Sequence, residues 1–191
     1  PNEEGLEADG NSQFLWRYPP KRAEAEVLRD GILLSAGKLD LQIGGEGYRI
    51  HGLKKLFDQW AVTNNYGEHS WRRMLYQERM RRVNDLMFMA FDFPDCGQVL
   101  AKRPISTTPL QALNMMNSPF VNTQVSMLSD SIVNDVGRNN INEQVEKAFE
   151  LILTRKPKGQ EIEMSKDLVA TDGLDALTRA LFNSNEFAFI R

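Results

Sequence analysis

Residues 103–121, RPISTTPLQALNMMNSPFV, decide the fold because they encode one short helix that leads directly into a second. Thr108 is suited to the N-cap, and Pro109 follows at the first helical position, where its missing N–H costs nothing. Gln111, three residues after the cap, can complete a capping box. The stretch therefore predicts a helix that begins at residue 109.

The same stretch predicts where this helix ends. Its apolar residues recur at helical spacing and form one stripe, namely Leu110, Leu113 and Met116. Asn117-Ser118-Pro119 ends the helix and caps the next one, because a proline disfavours helix in the residue before it. A junction of this kind fixes the angle between two helices, which is a scaffold role rather than a catalytic one.

Length and composition predict a folded globular protein. A chain of 191 residues can bury a core, and 41% hydrophobic with 26% charged residues is an ordinary globular composition. The net charge of −3 argues against a surface dedicated to nucleic acid or to an anionic membrane. No apolar run approaches the roughly 20 residues of a membrane span. We therefore expect no nucleic-acid partner and no membrane span.

Cofactor ligands are scarce in this segment. His51, His69 and Cys96 are too few for a structural zinc site, which needs four closely spaced ligands. The sequence contains no Cys-x-x-Cys-His motif, so this segment cannot attach a c-type haem, and a single cysteine excludes an internal disulfide. We therefore expect no cofactor in this segment.

The N-terminal half begins with an acidic segment. Residues 1–13 contain four acidic residues and no basic residue, which predicts a flexible leader before a single helical domain over residues 14–191. Apolar residues at helical spacing over residues 25–36 predict a helix that ends at Gly37.

The next segment is rich in turn residues. The glycines at positions 44, 45 and 47 predict a turn, and residues 64–67 predict another. Between them, residues 53–61 fit a short amphipathic helix, although a strand also fits an apolar run of this length.

The C-terminal half carries a clearer helical pattern. Apolar residues repeat on one face of four segments that turn residues separate. These segments are residues 121–136, residues 141–152, residues 160–170 and a last helix capped by Asp172. The sequence predicts a mainly α fold, namely an irregular helical bundle with long loops in its N-terminal half. A short strand pair is also compatible with the pattern.

Residues 71–82 form the strongest local charge cluster. Five arginines stand against one acid, Glu78, and they are Arg72, Arg73, Arg79, Arg81 and Arg82. One interpretation is ion pairing with the acidic residues that follow, Asp85, Asp92 and Asp95. The other is an anion site, because the planar guanidinium donates two parallel hydrogen bonds to a carboxylate, phosphate or sulfate group.

A second candidate site is the carboxylate pair Asp92 and Asp95 in the segment FDFPDCG, residues 91–97. Paired carboxylates suit metal binding or acid–base catalysis. The same segment also fits a turn in which the aspartate side chains bond to the backbone while the phenylalanines pack. The sequence leaves both interpretations open.

Several motifs together resemble one known family over about residues 13 to 191. They are FLWRYPPKR at 14–22, EAEVLRD at 24–30, WRRMLY at 71–76, FDFPD at 91–95, TTPLQAL at 107–113, LTRKP at 153–157 and ALFNSNEF at 180–187. This ordered set resembles the planctomycete-type domain of unknown function called PSD1 or DUF1553.

The resemblance implies a context rather than a mechanism. Such domains typically form the C-terminal part of large secreted bacterial proteins that carry a cytochrome-c-like domain upstream, often with a carbohydrate-binding-like insert. It therefore implies an extracytoplasmic location, in the periplasm or cell envelope, and other domains of the same polypeptide as partners. Residues 80–85 depart from the proline-rich stretch of many relatives, and Lys158-Gly159 replaces a more usual Ser or Thr cap.

We expect a non-catalytic accessory or interaction module of a secreted, multidomain, cytochrome-c-like envelope protein. One alternative is a module that binds carbohydrate or an anionic glycan. Its candidate residues are Arg72, Arg73, Arg81 and Arg82, with exposed aromatic residues such as Trp60 and Trp71. The other alternative is an envelope enzyme that uses Asp92 and Asp95.

Overall fold

The computed structural model describes residues 2–54, 59–62, 67–79, 85–94, 97 and 99–190. Helices dominate this part of the chain and confirm the predicted mainly α fold. They are α1 (Glu3–Ala8), α2 (Ala25–Ser35), α3 (Leu86–Met89), α4 (Pro109–Asn117), α5 (Pro119–Val136), α6 (Ile141–Leu153), α7 (Gly159–Asp172), α8 (Leu174–Phe182) and α9 (Asn185–Ala188). Two antiparallel strand pairs accompany them, β1 (Lys21–Arg22) with β4 (Phe189–Ile190) and β2 (His51–Lys54) with β3 (Gln59–Val62).

Helices α5 to α8 form the predicted C-terminal bundle. α8 packs against α5, α6 and α7. Its inward residues Leu174, Leu177 and Leu181 recur at helical spacing and are buried. The phenyl rings of Phe182 and Phe187 meet edge to face, with centroids 5.1 Å apart, so the chain after α8 packs back onto the bundle.

Glycines in the left-handed region of φ make two of the turns between these helices. Gly137 after α5 has a φ of +88°, and Gly173 after α7 has a φ of +85°. A residue with a Cβ adopts such angles at a steric cost that glycine does not have. The predicted cap at Asp172 is wrong, since Asp172 is the last residue of α7 and Gly173 alone separates α7 from α8.

The central stretch folds as two consecutive helices. α4 begins at Pro109, and Gln111 Oε1 accepts a hydrogen bond from the Thr108 N–H at 3.4 Å. Ser118 both ends α4 and precedes α5, as predicted. α4 buries Gln111 and Met115, whereas its apolar stripe lies at the surface. The exposed fractions of that stripe are 56% for Leu110, 56% for Leu113 and 46% for Met116.

The strand pair β1 and β4 joins the two ends of the fold. Lys21 pairs with Ile190 and Arg22 with Phe189, so the entry to α2 lies beside the end of the C-terminal bundle. α2 follows the predicted spacing and ends before Gly37, whose φ is +66°. Because α2 packs against α5, the N-terminal half shares its core with the bundle.

Residues 3–8 of the predicted leader form α1. The indole Nε1–H of Trp16 donates to the carbonyl oxygen of Asp9 at 2.8 Å. The Trp16 ring also covers Gly5, where an added Cβ would lie 2.7 Å from the ring. These contacts fold α1 back onto Trp16, and the division of the chain into a leader and one domain stays a prediction.

His51–Lys54 and Gln59–Val62 pair as the antiparallel strands β2 and β3, with His51 opposite Val62. The helix predicted over residues 53–61 is therefore wrong, and the strand that the same run allowed is the observed state. The link between the two strands, residues 55–58, lies outside the described residues.

The two predicted turns have different outcomes. Gly44 and Gly45 have φ of +80° and +83°, which confirms the first turn. The second falls mostly on residues 63–66, which lie outside the described part of the chain. In that described part, no helix is long and apolar enough to cross a membrane.

Candidate functional site

Arg72, a predicted anion-binding residue, binds the backbone of its own chain. Its guanidinium donates to the carbonyl oxygens of Gln42 at 3.2 Å and Gly44 at 2.5 Å, and also to that of Glu46. The same group lies over the Tyr76 ring, 4.0 Å from the centroid. Arg72 therefore holds the glycine-rich turn, and several of its donors are already used inside the protein.

Arg73 and Arg79 are half-buried and also make local contacts. Arg73 lies 5.9 Å from the Tyr76 ring centroid, and its Nε is buried with no hydrogen-bond partner among the described residues. Arg79 stacks on the Phe93 ring at 3.7 Å and donates to the carbonyl oxygen of Pro94. Of these two side chains, Arg73 thus keeps a donor that no described group satisfies.

Arg29 is a central residue that belongs to neither of the two sites predicted from the sequence. It is 2% exposed and donates to the carbonyl oxygens of Ser70 and Arg72, the latter at 2.8 Å. Its guanidinium also pairs with Asp30 at 2.9 Å. Two aromatic rings lie against it, those of Tyr48 at 5.3 Å and Phe120 at 5.6 Å. Arg29 therefore ties the segment around residues 70–72 to α2.

Asp92, the described member of the predicted carboxylate pair, is a hydrogen-bonded anchor. Its carboxylate accepts from Arg22 Nη2 at 2.5 Å, from the Ser106 N–H at 2.7 Å and from Ser106 Oγ at 2.9 Å. Its backbone φ is +58°, in the left-handed region that aspartate tolerates better than most residues. Both carboxylate oxygens are occupied by these donors, which fits the turn interpretation of the segment.

Gln111 and Arg103 extend this anchor. Gln111 Nε2 donates to the carbonyl oxygens of Ala90 at 2.9 Å and Ser106 at 3.0 Å. Arg103 donates from Nε to the Asp92 carbonyl oxygen at 3.2 Å. We call the group formed by Arg22, Asp92, Ser106 and Gln111 the Asp92 cluster. It joins residues from three of the quoted motifs, 14–22, 91–95 and 107–113.

A groove of about 630 Å³ lies between α2 and the segment of residues 73–79, and we call it the α2 groove. Apolar side chains on both walls are exposed to solvent. They are Val27 at 51%, Leu34 at 61% and Leu75 at 79%. The α2 groove therefore combines the size of a ligand site with uncovered apolar surface.

The rim of the α2 groove carries charges of both signs. Glu24, Glu26 and Asp30 lie along α2, and Arg73 and Arg79 lie on the opposite wall. Burial raises the pKa of the Asp30 carboxyl, although the hydrogen bond from the backbone N–H of residue 74 and the nearby guanidinium of residue 29 oppose that rise. The groove can therefore orient an occupant that presents both apolar and charged groups.

Three predicted site residues, Arg81, Arg82 and Asp95, lie outside the described residues. Trp60 belongs to β3, and only its backbone is described. Trp71 is 7% exposed, so its selection as an exposed aromatic residue is wrong. Among the described residues, no three or more His, Cys, Asp or Glu side chains are grouped so that they could hold a metal ion.

Comparison with known proteins assigns the chain to a family. The model of the family PSD1, described as a protein of unknown function (DUF1553), matches residues 1–169. The chain belongs to the PSD1 family. This confirms the PSD1 family that the motifs indicated, and the match includes every residue of the Asp92 cluster and of the α2 groove. The last of the quoted motifs, residues 180–187, lies outside the matched residues. Searches among curated proteins and among solved structures gave no match.

Proposed function

We propose that this PSD1 domain is a non-catalytic interaction module that binds a polypeptide segment in the α2 groove. The proposal places the domain in a secreted, multidomain, cytochrome-c-like envelope protein, with the bound segment supplied by another domain of the same polypeptide. The extracytoplasmic location belongs to the same proposal and is supported by the family resemblance.

The observation that carries the proposal is the uncovered apolar surface of the α2 groove. Val27, Leu34 and Leu75 are more than half exposed, yet they belong to the two walls of one depression. Grouped apolar side chains of this kind mark interaction sites, because their burial against a partner is favourable by roughly 25 cal/mol per Å². The charged rim suits a peptide, which carries apolar and charged side chains along one chain.

Photo-crosslinking in the full-length polypeptide tests this proposal. A photoreactive benzoylphenylalanine would replace Leu34 or Leu75 on the two walls of the groove. The matched control would replace Met164, which is 74% exposed on α7 and does not line the groove. We expect positions 34 and 75 to crosslink to one common segment outside residues 1–191, and position 164 not to do so. Equal crosslinking from all three positions, or none from the groove, would overturn the proposal.

A second candidate function is the binding of an anionic glycan. Arg73 and Arg79 give the α2 groove one basic wall, and this observation favours the candidate. Calorimetric titration with sulfated and neutral oligosaccharides tests it. Binding of the sulfated sugars alone, lost at high salt and in the Arg73→Gln variant, would support the glycan over the peptide, because salt screens exposed charges.

The third candidate is an envelope enzyme that uses Asp92 and Asp95, and it predicts that Asp92→Asn abolishes turnover while the protein stays folded. The anchoring role of Asp92 predicts a loss of stability instead. Because the carboxylate is held by Arg22 and Ser106, we expect the substitution to lower the free energy of unfolding by about 1–3 kcal/mol. Asparagine tolerates the φ of +58°, so backbone strain adds little. Asp130→Asn, at an exposed position, is the matched control. A stability equal to that of the control would remove the anchoring role, and only a turnover lost in Asp92→Asn would then support the enzyme.

A further inference from the structure

A second cavity, of about 110 Å³, is lined by two members of the Asp92 cluster, Arg22 and Gln111. The start of α4, the end of α8 and the strand pair β1 and β4 form its walls. Its polar lining consists of Arg22, Thr107, Thr108, Gln111, Asn183 and Asn185. A water molecule needs about 10–15 Å³ of such volume, so this cavity holds several water-sized groups but no oligosaccharide. It shares no lining residue with the α2 groove.

Arg22 brings unsatisfied donors to this cavity. Its side chain is 4% exposed, and Nη2 is bonded to Asp92. Nε and Nη1 are buried and have no hydrogen-bond partner among the described residues. Buried N–H groups are nearly always paired in folded proteins, and guanidinium donors are the strongest of them. An acceptor in the cavity would satisfy donors that the chain itself leaves free.

The start of α4 provides a second source of attraction for negative charge. The helix dipole is positive at this end. Pro109 has no N–H, and the Gln111 N–H donates to the carbonyl oxygen of Thr108 at 3.1 Å, so the N–H of Leu110 is the donor of this turn that has no acceptor within α4. Thr107 and Thr108 line the cavity at this point and are solvent-exposed, so the mouth is open to solutes. A helix start and a buried guanidinium thus converge on one small space.

We propose that this cavity binds a small oxyanion, either a carboxylate, a phosphate or a sulfate group. The unpaired donors of Arg22 and the groups at the start of α4 hold it. Two other charged side chains lie nearby. The Asp92 carboxylate is hydrogen-bonded to Ser106 as well as to Arg22, and Arg103 forms an ion pair with the Glu26 carboxylate at 2.7 Å. The site does not depend on the proposed role of the α2 groove.

NMR titration of the 191-residue chain tests the site directly. The Nε–Hε resonance of Arg22 and the backbone amides of Leu110 and Gln111 would be followed during addition of sodium sulfate, sodium phosphate or sodium acetate. Sodium chloride at matched ionic strength is the control. We expect saturable shifts of these three signals with at least one oxyanion and small linear shifts with chloride. Linear shifts with every salt would overturn the proposal.

A pair of variants at Ala112 keeps the test independent of folding. Ala112 lines the cavity from the exposed side of α4, so substitution there leaves the core intact. Ala112→Glu brings a carboxylate that repels or replaces the anion, and we expect affinity to fall by about tenfold or more. Ala112→Gln has nearly the same shape without the charge and should retain binding. Equal affinity in both variants would place the ion elsewhere and overturn the proposal.

Selectivity among the three ions identifies the class of ligand. Saturation by acetate alone supports a planar carboxylate, such as that of an organic acid. Saturation by sulfate or phosphate alone supports a tetrahedral oxyanion. Both results support the site, whereas equal saturation by chloride contradicts it.

Discussion

Replacing Arg29 by methionine tests whether a buried guanidinium holds the wall of the α2 groove. Arg29 is 2% exposed and donates to the carbonyl oxygens of Ser70 and Arg72. Methionine fills most of the volume of the arginine stem but donates no hydrogen bond. The variant therefore removes the polar link between α2 and the segment around residues 70–72 and changes the packing little.

The expected loss follows from the contacts that disappear. Each hydrogen bond from a charged donor contributes about 1.5–3 kcal/mol, and two carbonyl oxygens lose their donor. Asp30 is partly protected, because its carboxylate is 23% exposed and keeps the Met74 N–H at 2.9 Å. We therefore expect the free energy of unfolding to fall by about 3–5 kcal/mol, which is typical when one member of a buried charge pair is removed.

Urea unfolding at 25 °C measures this loss, and Arg49→Met is its matched control. Arg49 pairs with Glu78, but its side chain is 60% exposed, so the same chemical change should cost about 0–1 kcal/mol. Hydrogen exchange should in addition show faster exchange of the amides around residues 70–77 in the Arg29 variant. A loss below about 1 kcal/mol, or equal losses in the two variants, would refute the reasoning.

Two further predictions concern charge and close packing. Hydrogen bonds from Arg155 lower the pKa of Glu161 to about 2, so its contribution to stability is present above the ordinary pKa of 4.5 and is lost as the pH falls toward 2. In Glu161→Gln, the free energy of unfolding should therefore fall less steeply as the pH is lowered from 4.5 toward 2. An unchanged pH dependence of that free energy would contradict this. A Cβ at Gly47 would lie 2.7 Å from the Tyr76 carbonyl oxygen, so Gly47→Ala should cost about 1–3 kcal/mol in thermal unfolding. Gly159→Ala, where a Cβ meets no described atom within 4 Å, should be neutral or slightly stabilising, and equal effects would exclude the close contact.

The C-terminal bundle was predictable because each helix carries its own local signals. Residues 141–152 show an apolar stripe bounded by turn residues, and α6 spans Ile141–Leu153. The stretch from residue 103 to 121 likewise contains a cap, a proline and a stop within a few residues of one another. Signals of this kind need no information about distant parts of the chain.

The N-terminal half was less predictable, since its elements depend on partners. The short apolar run at residues 53–61 fits either periodicity, and only pairing between β2 and β3 decides in favour of strands. In α4, Gln111 turns inward because its amide bonds to the carbonyl oxygens of Ala90 and Ser106. These two hydrogen bonds decide which face of α4 is buried, so the face that the apolar spacing marks stays at the surface. A single sequence does not show which carbonyl groups Gln111 will meet.

The residue types of the candidate site were predictable from the sequence, but the partners of each side chain were not. The Asp92 carboxylate forms an ion pair with Arg22, which lies 70 residues away in sequence, and not with a described arginine of the segment 71–82. For Arg29 a signal was available, since it lies four residues after Ala25 and three before Ile32 and thus on the buried face of α2. A charged residue on an apolar stripe indicates a buried polar contact.

Arg72 shows how an arginine in an irregular segment can be used by the backbone of its own chain. The turn at residues 42–46 lies at the surface, and its carbonyl groups belong to no regular helix or sheet ladder. Arginine carries five N–H donors in one rigid group, and Arg72 serves several of these carbonyls at once. A cluster of arginines therefore does not by itself indicate a ligand. Among the described arginines, the buried donors without a hydrogen-bond partner are Nε of Arg72, Arg73 and Arg179 and Nε and Nη1 of Arg22. Of these residues, Arg22 lines the cavity beside α4, where a ligand can reach it.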